Sequence, residues 1–279
     1  MDQTYTIAEI GINHNGKLSI AKSLIDISKA AGFNCVKFQK RNPNKCVPEA
    51  QKHKIKDTPW GRITYLDYKY RIEFEKKEYD EINSYCKEKN IEWSASPWDI
   101  DSAEFLIQYN LPFVKIASAS ITDIKLLEFC SKNFNKIILS TGMSTEKEVD
   151  EAYKTLSKNC NNIIVMHCNS EYPTPPQNVN LNYISKLKSS YPNSTIGYSG
   201  HEYGLTTTIC SVAMGAKYIE RHITLDKTMW GSDQMASIEP HGMFKLIRGI
   251  REIEMALGSN KKVFTENEKN KRSTLVKSV

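Results

Sequence analysis

The stretch 195–224, TIGYSGHEYGLTTTICSVAMGAKYIERHIT, holds two short β-rich runs, TIGYSG and YIERHIT, on either side of a segment with helical spacing at 204–215. A strand, a helix and a second strand in that order form a parallel βα unit. A histidine closes each run: His201 follows the first and His222 lies in the second. Polar residues at the ends of consecutive parallel strands are what a (β/α)8 barrel uses to build a site at one face.

Working outward, the same pair recurs along the chain. YTIAEIGIN (5–13) precedes a helical pattern at 18–32, and CVKFQ (35–39) precedes one near 76–90. The series continues with IEWSAS (91–96) and 100–110, FVKIAS (113–118) and 123–133, KIILSTG (136–142) and 145–158, and NIIVMHC (162–168) and 181–190. The opening stretch supplies the seventh pair and the start of the eighth, whose helix is read at 240–257. Eight units without a Gly-rich dinucleotide fingerprint favour closure over an open doubly wound sheet. The expected fold is therefore α/β, a (β/α)8 TIM barrel over 1–260, with the polar segment 261–279 as a linker or tail rather than a ninth element.

One connection breaks the pattern. Residues 40–75 are too long for a βα loop, and loops of that length carry function or their own structure. The insertion follows the second barrel strand, so it is expected over the C-terminal face, with YLDYKYRIEF forming a short helix.

Composition narrows the function. With 40% hydrophobic and 25% charged residues the 279-residue chain can bury a core. The net charge of +6 is scattered rather than clustered with aromatics, which argues against nucleic acid and for a small anionic substrate. Seven widely spaced cysteines with no C-x-x-C pair read as reduced thiols. No leader-like or membrane-length apolar run is present, so the expected location is cytoplasmic, with no membrane partner.

Side chains two apart share a strand face, which groups Lys37 with Gln39, Ser199 with His201, and Glu220 with His222 and Thr224, while Arg221 points toward the helices. Ends of adjacent strands lie about 5 Å apart, so His201 and His222 can hold one divalent ion and leave positions open for substrate. Lys37 and Lys115 lie inside strands, where an ammonium group must be paired, must snorkel or must meet a ligand. With Ser96, Ser118, Ser140 and Ser199 at other strand ends, they form a candidate phosphate or phosphate-plus-carboxylate pocket. Glu9, in an apolar strand, needs a lysine, a metal-bound water or a ligand as partner. His14 falls near the rim, His167 in the core or behind the site, and His53 and His241 at the surface or at helix caps.

Taken together, AEIGINHNG, VKFQ, FVKIASAS, ILSTGM, MHCNSEYPTP, IGYSGHE and ERHITLDKTMWGSDQ resemble the sialic acid synthase family, in the family's order, from about residue 5 to 260. Members condense phosphoenolpyruvate with an N-acetylated aldose, releasing phosphate and forming a nine-carbon 2-keto acid. The resemblance implies phosphoenolpyruvate at Lys37, Ser96, Lys115, Ser118, Ser140 and Ser199, with Ser170 standing where members use an asparagine. It implies a divalent cation at His201 and His222, manganese first, with magnesium or cobalt as alternatives. Glu9, Gln39, Tyr172 and Asp233 match residues around the metal and the acceptor sugar. Glu9, Lys37 and Lys115 are the catalytic candidates.

Two departures from the family bear on substrate and assembly. Ser120 stands where a family glutamate contacts sugar, which opens the acceptor to a 2,4-diacetamido-trideoxyhexose, as in legionaminic acid synthesis, beside N-acetylmannosamine. Members also continue into a small antifreeze-like domain that presents an arginine to the partner's site in a swapped dimer, and nothing follows Val279 here. A homodimer is expected if the full protein has that domain; the barrel alone is expected to fold but turn over slowly. Two other readings stay open: a related 2-keto-3-deoxy sugar acid synthase using a phosphorylated aldose, and a catalytically weak ligand-binding barrel. The first needs a second phosphate site, and the sequence shows no further basic cluster for one.

Overall fold

The computed structural model describes residues 3–276. Ten strands are formed: β1 (Tyr5–Gly11), β2 (Cys35–Lys40), β3 (Ile55–Thr58), β4 (Gly61–Thr64), β5 (Glu92–Pro97), β6 (Val114–Ile116), β7 (Ile137–Ser140), β8 (Ile163–Cys168), β9 (Thr195–Gly200) and β10 (Tyr218–His222). Eight of them close into a parallel barrel in the order β1-β10-β9-β8-β7-β6-β5-β2. A helix follows each barrel strand, from Leu18–Ala31 to Pro240–Leu257, and the (β/α)8 expectation holds. No helix among the described residues is long and apolar enough to cross a membrane.

Local sequence accounts for these elements. In Leu18–Ala31 the buried residues Ala21, Leu24, Ile25, Ser28 and Ala31 recur at helical spacing and face the strands. Gly32 ends that helix at φ +94°, where a side chain would be strained, and its N–H caps the carbonyls of Ser28 and Lys29. Leu24 and Ile25 are fully buried, each contributing on the order of 2 kcal/mol of apolar transfer.

The barrel interior changes character along its axis. Ile7, Cys35, Phe113, Ile138, Ile164 and Met166 form an apolar plug inside the strands, with Tyr5 and Tyr218 against it. One pleat repeat further along, the inward positions become Glu9 on β1, Lys37 on β2 and His222 on β10, with Glu9 opposite both Lys37 and His222 in register. The apolar plug seals one end and the polar layer opens at the other.

The insertion after β2 has more structure than the sequence reading assigned. The helix is formed at Tyr65–Ile72, and before it come two one-turn helices and an antiparallel β3–β4 hairpin that was not anticipated. Tyr68 and Ile72 are buried with Ile12, against Trp60 and Trp230, which folds the insertion over the C-terminal mouth as expected. Within the expected tail, Glu266–Leu275 is a helix with no buried residue, started by a Thr265–Glu268 capping box. Residues 277–279 of the expected tail, and residues 1–2 of the expected barrel range, lie outside the described residues.

Candidate active site

A cavity of about 270 Å³ opens at the C-terminal ends of the strands. That is near the lower end of the ~300–1,000 Å³ usual for small-molecule sites, so it suits small metabolites rather than a polymer. Its wall collects Glu9, Lys37, Gln39, Ser96, Lys115, Ser118, Ser140, Ser170, Tyr172, Ser199, His201, His222 and Asp233. Ser120 does not line this cavity. The chain leaves β6 in a single 3-10 turn, Ser118–Ser120, which buries Ser120 and turns Ala119 to the cavity instead.

The floor is a chain of buried ion pairs. Lys37 Nζ lies 2.6 Å from Glu9 Oε2 and 3.7 Å from Glu220 Oε1, and Lys115 Nζ lies 2.6 Å from Glu220 Oε1. Pairing with internal carboxylates, one of the open readings of these lysines, is therefore present. Lys37 also donates to Ser96 Oγ at 3.0 Å and Lys115 to Ser199 Oγ at 3.2 Å. Burial pushes the Glu9 carboxyl up to about 7, against the pull of Lys37 and with repulsion from Glu220. Burial would raise Glu220 as well, but Lys115 and Lys37 outweigh it and hold that carboxyl low. Glu220 was placed on the right face by strand alternation yet not singled out; an inward carboxylate two residues before His222 was the available signal.

A hydroxyl shelf lies beside the floor. Ser118 Oγ donates to Ser140 Oγ at 3.1 Å and accepts from the Gly142 N–H at 3.0 Å. A Cβ on Gly142 would stand 2.3 Å from Ser170 Oγ and 2.8 Å from Ser118 Oγ, so the close approach of these hydroxyls requires glycine there.

The third wall carries the imidazoles. His201 and His222 face each other with ring centroids 5.4 Å apart, and Tyr172 packs 4.0 Å from the His201 ring. His201 Nδ1 is 2.6 Å from the Asn169 carbonyl, which orients the ring and leaves Nε2 for the cavity. His222 Nδ1 is buried without a hydrogen-bond partner, 3.9 Å from Asp233 Oδ2. Burial, with the charge of His201, moves the His222 pKa down to about 3 despite Asp233, so the ring is neutral. An orphaned neutral imidazole nitrogen facing a second histidine fits a divalent cation. Among the described residues no three His, Cys, Asp or Glu side chains are gathered to hold one alone, so substrate and water would complete the shell. Cys168 adds a thiol 3.9 Å from His201 Nδ1; all seven cysteines are free.

Behind the histidines, Arg221 points out of the barrel as expected. It donates to Thr208 Oγ1 at 2.7 Å, to Glu202 Oε1 at 3.2 Å and to the Glu202 carbonyl at 2.6 Å, tying the ends of β9 and β10 together. His167 is buried, with Nε2 2.6 Å from the Val179 carbonyl, and His14 is buried in a stack with Phe74 at 3.9 Å, deeper than the rim position expected for it.

Arg41 and Lys69, from the insertion, also line the cavity. The absence of a further basic cluster, read from the sequence, is thereby corrected: the two cations are 28 residues apart in the chain (69 − 41) and meet only when the insertion folds.

Comparisons with known proteins agree with the barrel fold. Residues 24–262 match the NeuB family. The chain is 39% identical to the human N-acetylneuraminate-9-phosphate synthase over 262 residues, covering 91% of this chain and 71% of that enzyme. It is 36% identical to the N,N'-diacetyllegionaminic acid synthase of Campylobacter jejuni subsp. jejuni, covering all of this chain and 85% of the other. Among solved structures, the N-acetylneuraminic acid (sialic acid) synthetase of Leptospira borgpetersenii serovar Hardjo-bovis, in complex with citrate, superposes with a TM-score of 0.86 at 32% identity. The match covers 99% of this chain and 94% of that one. With a family match over residues 24–262 and relatives this similar along nearly the whole chain, the chain belongs to the NeuB family of sialic acid-type synthases.

Proposed function

We propose that this chain condenses phosphoenolpyruvate with an N-acetylated aldose, N-acetylmannosamine or a 2,4-diacetamido-trideoxyhexose, to form a nonulosonic acid and release phosphate. The observation that carries the reading is the pair of buried ammonium groups, Lys37 and Lys115, on the floor of a cavity whose wall holds two facing histidines.

Each group then has a task. An incoming phosphate and carboxylate compete with Glu9 and Glu220 for the two lysines, while Ser96, Ser118, Ser140, Ser170 and Ser199 supply hydroxyl donors around them. His201 and His222 would hold a divalent cation, manganese in the first instance, which when bound supplies Lewis-acid polarisation of the sugar aldehyde. C3 of phosphoenolpyruvate attacks the aldehyde carbon, water adds at C2, and the tetrahedral carbon expels phosphate. Burial lifts Glu9 to about 7, so near neutral pH it is partly ionised; as the carboxylate it can take a proton from that water and pass it to the oxygen of the attacked aldehyde. Gln39 donates to Glu9 Oε1 at 3.0 Å and fixes its orientation. Tyr172 and Asp233 lie on the side of the histidines, where the acceptor would enter.

Phosphate release from phosphoenolpyruvate, assayed with a panel of N-acetylated hexoses with and without manganese, tests the reading. Release that requires both a hexose and the metal supports it; no hexose-dependent release with any member of the panel overturns it. Metal content of a His201→Ala, His222→Ala double variant is the separate test of the cation site: full occupancy would remove the assignment.

A further inference from the structure

We infer that Arg221 is a positioning residue for the cation site: with Glu202 and Thr208 it forms a clasp behind the strands that sets the spacing of His201 and His222, and so the affinity for the ion they would hold. The inference rests on the cation reading of the two histidines proposed above, and it adds a residue that does not itself line the cavity.

The clasp begins where the sheet stops. Strands β9 and β10 keep register up to Gly200 opposite Arg221, and the next residue on each is a histidine of the site. The carbonyls of those histidines are bonded away from each other: that of His201 accepts from the Thr174 N–H at 3.0 Å, and that of His222 from the Ile238 N–H at 2.8 Å. Side chains close the gap on the outer face. Arg221 Nη2 donates to the Glu202 carbonyl at 2.6 Å, and Nη1 to the Gly204 carbonyl at 3.0 Å, to Glu202 Oε1 at 3.2 Å and to Thr208 Oγ1 at 2.7 Å. The planar guanidinium of the residue before His222 thus grips the residue after His201.

The carboxylate is fixed in its turn. Glu202 Oε2 accepts from Tyr198 Oη at 2.8 Å and Oε1 from Thr208 Oγ1 at 2.6 Å. A Cβ on Gly200 would stand 2.5 Å from Glu202 Oε2, so the residue before His201 leaves room for the carboxylate to fold back against the strand. The core does not call for such a group. Elsewhere the outward positions of these strands are apolar: Ile196 on β9, Ile219 on β10, Leu139 on β7 and Val165 on β8 all pack in the main core. A buried ion pair often stabilises no more than apolar side chains of the same volume would, so packing alone does not account for this one. What it adds is direction. A fork with acceptors at Glu202, Gly204 and Thr208 fixes how the two strand ends lie, and with them the imidazoles, whose ring centroids are 5.4 Å apart.

The test is the manganese affinity of the full chain, read from the loss of the free-ion EPR signal on titration. Arg221→Lys keeps a positive charge beside Glu202 but replaces the fork by a single nitrogen. Its manganese Kd should rise about tenfold, at the lower end of the ~10–100-fold that losing a group behind a metal ligand costs. Thr208→Val, which removes a hydroxyl from the clasp with little change of shape, should move the same way. Phosphoenolpyruvate affinity, measured by calorimetry without metal, should stay within about twofold in both variants, because the lysines of the floor stand on other strands. Unchanged manganese affinity in a folded Arg221→Lys overturns the clasp, as does a parallel loss of phosphoenolpyruvate, which marks general loosening of the barrel. If Arg221→Lys fails to melt cooperatively, Thr208→Val decides by the same two measurements. A wild type that takes up no manganese removes the cation assignment instead; the clasp is then read from amide hydrogen exchange at His201 and His222, and equal rates in the wild type and Thr208→Val overturn it.

Discussion

The floor and the mouth of this cavity are both cationic, yet they are built in opposite ways. Lys37 and Lys115 stand on strands, each within 2.6 Å of a carboxylate on another strand. Arg41 and Lys69 stand on a loop end and a short helix of the insertion, and two of Arg41's nitrogens are unpartnered. The floor's cations are thus matched by carboxylates of the barrel itself, whereas the guanidinium at the mouth keeps idle donors.

The contrast breaks most visibly at Lys115. Lys115→Met leaves Glu220 with one distant lysine, and breaking a buried pair costs about 3–5 kcal/mol. Denaturant unfolding should show that loss; a loss below about 1 kcal/mol, the level of an exposed pair, would mean that the floor is not structural.

His14 joins the two regions, stacking on Phe74 of the insertion with its pKa moved down to about 3 by burial and then by Arg41. The folded value lies below the unfolded one near 6.5, so the unfolded chain takes the proton first. The contribution is complete above about pH 6.5 and is lost as pH falls toward 3, at about 1.4 kcal/mol per unit. His14→Asn, whose side-chain oxygen can still accept from the Gly16 N–H, should flatten the stability–pH curve in that window relative to wild type. Parallel curves would show that the ring is protonated in the folded protein.

Gly142→Ala drives a methyl group into Ser170 and Ser118, and overpacking of this kind costs about 1–3 kcal/mol. Its effect should fall on phosphoenolpyruvate affinity more than on the acceptor, read as separate KM values; the reverse split would move the serine shelf to the sugar side. The smallest effect is expected at the mouth. Arg41→Gln should change unfolding stability by less than about 1 kcal/mol, because the wild-type guanidinium already lacks partners. A loss as large as that at Lys115 would erase the distinction between the regions.

The same distinction decided what could be read from the chain. Along β1, β2 and β10 the alternation of faces ties Glu9, Lys37, Gln39 and His222 to the interior, and the change from apolar to polar inward positions marks the open end. Eight βα units and the helix Tyr65–Ile72 were legible for the same reason: periodicity reports burial. The β3–β4 hairpin was not, because Ile55–Thr58 and Gly61–Thr64 are exposed or half-buried and show no apolar alternation around the Pro59–Trp60 turn. Arg41 and Lys69 were invisible because no spacing rule connects a loop to the strand ends it will cover. Motif position places Ser120 along the chain, while its burial is set by the 3-10 turn, which no motif announces.

The pairing of β1 with β10 has a kinetic meaning. Glu9 and His222 are register partners across that seam, separated in the chain by 213 residues (222 − 9). Closing so long a loop costs entropy that is recovered only when the last parallel pair forms, so contacts of this range come late in folding. During synthesis the lysines, serines and most of the barrel can be in place while the emerging chain still lacks a site. Competence to act on substrate is therefore a report that the ring has closed, and refolding followed by ligand binding should lag refolding followed by helix content.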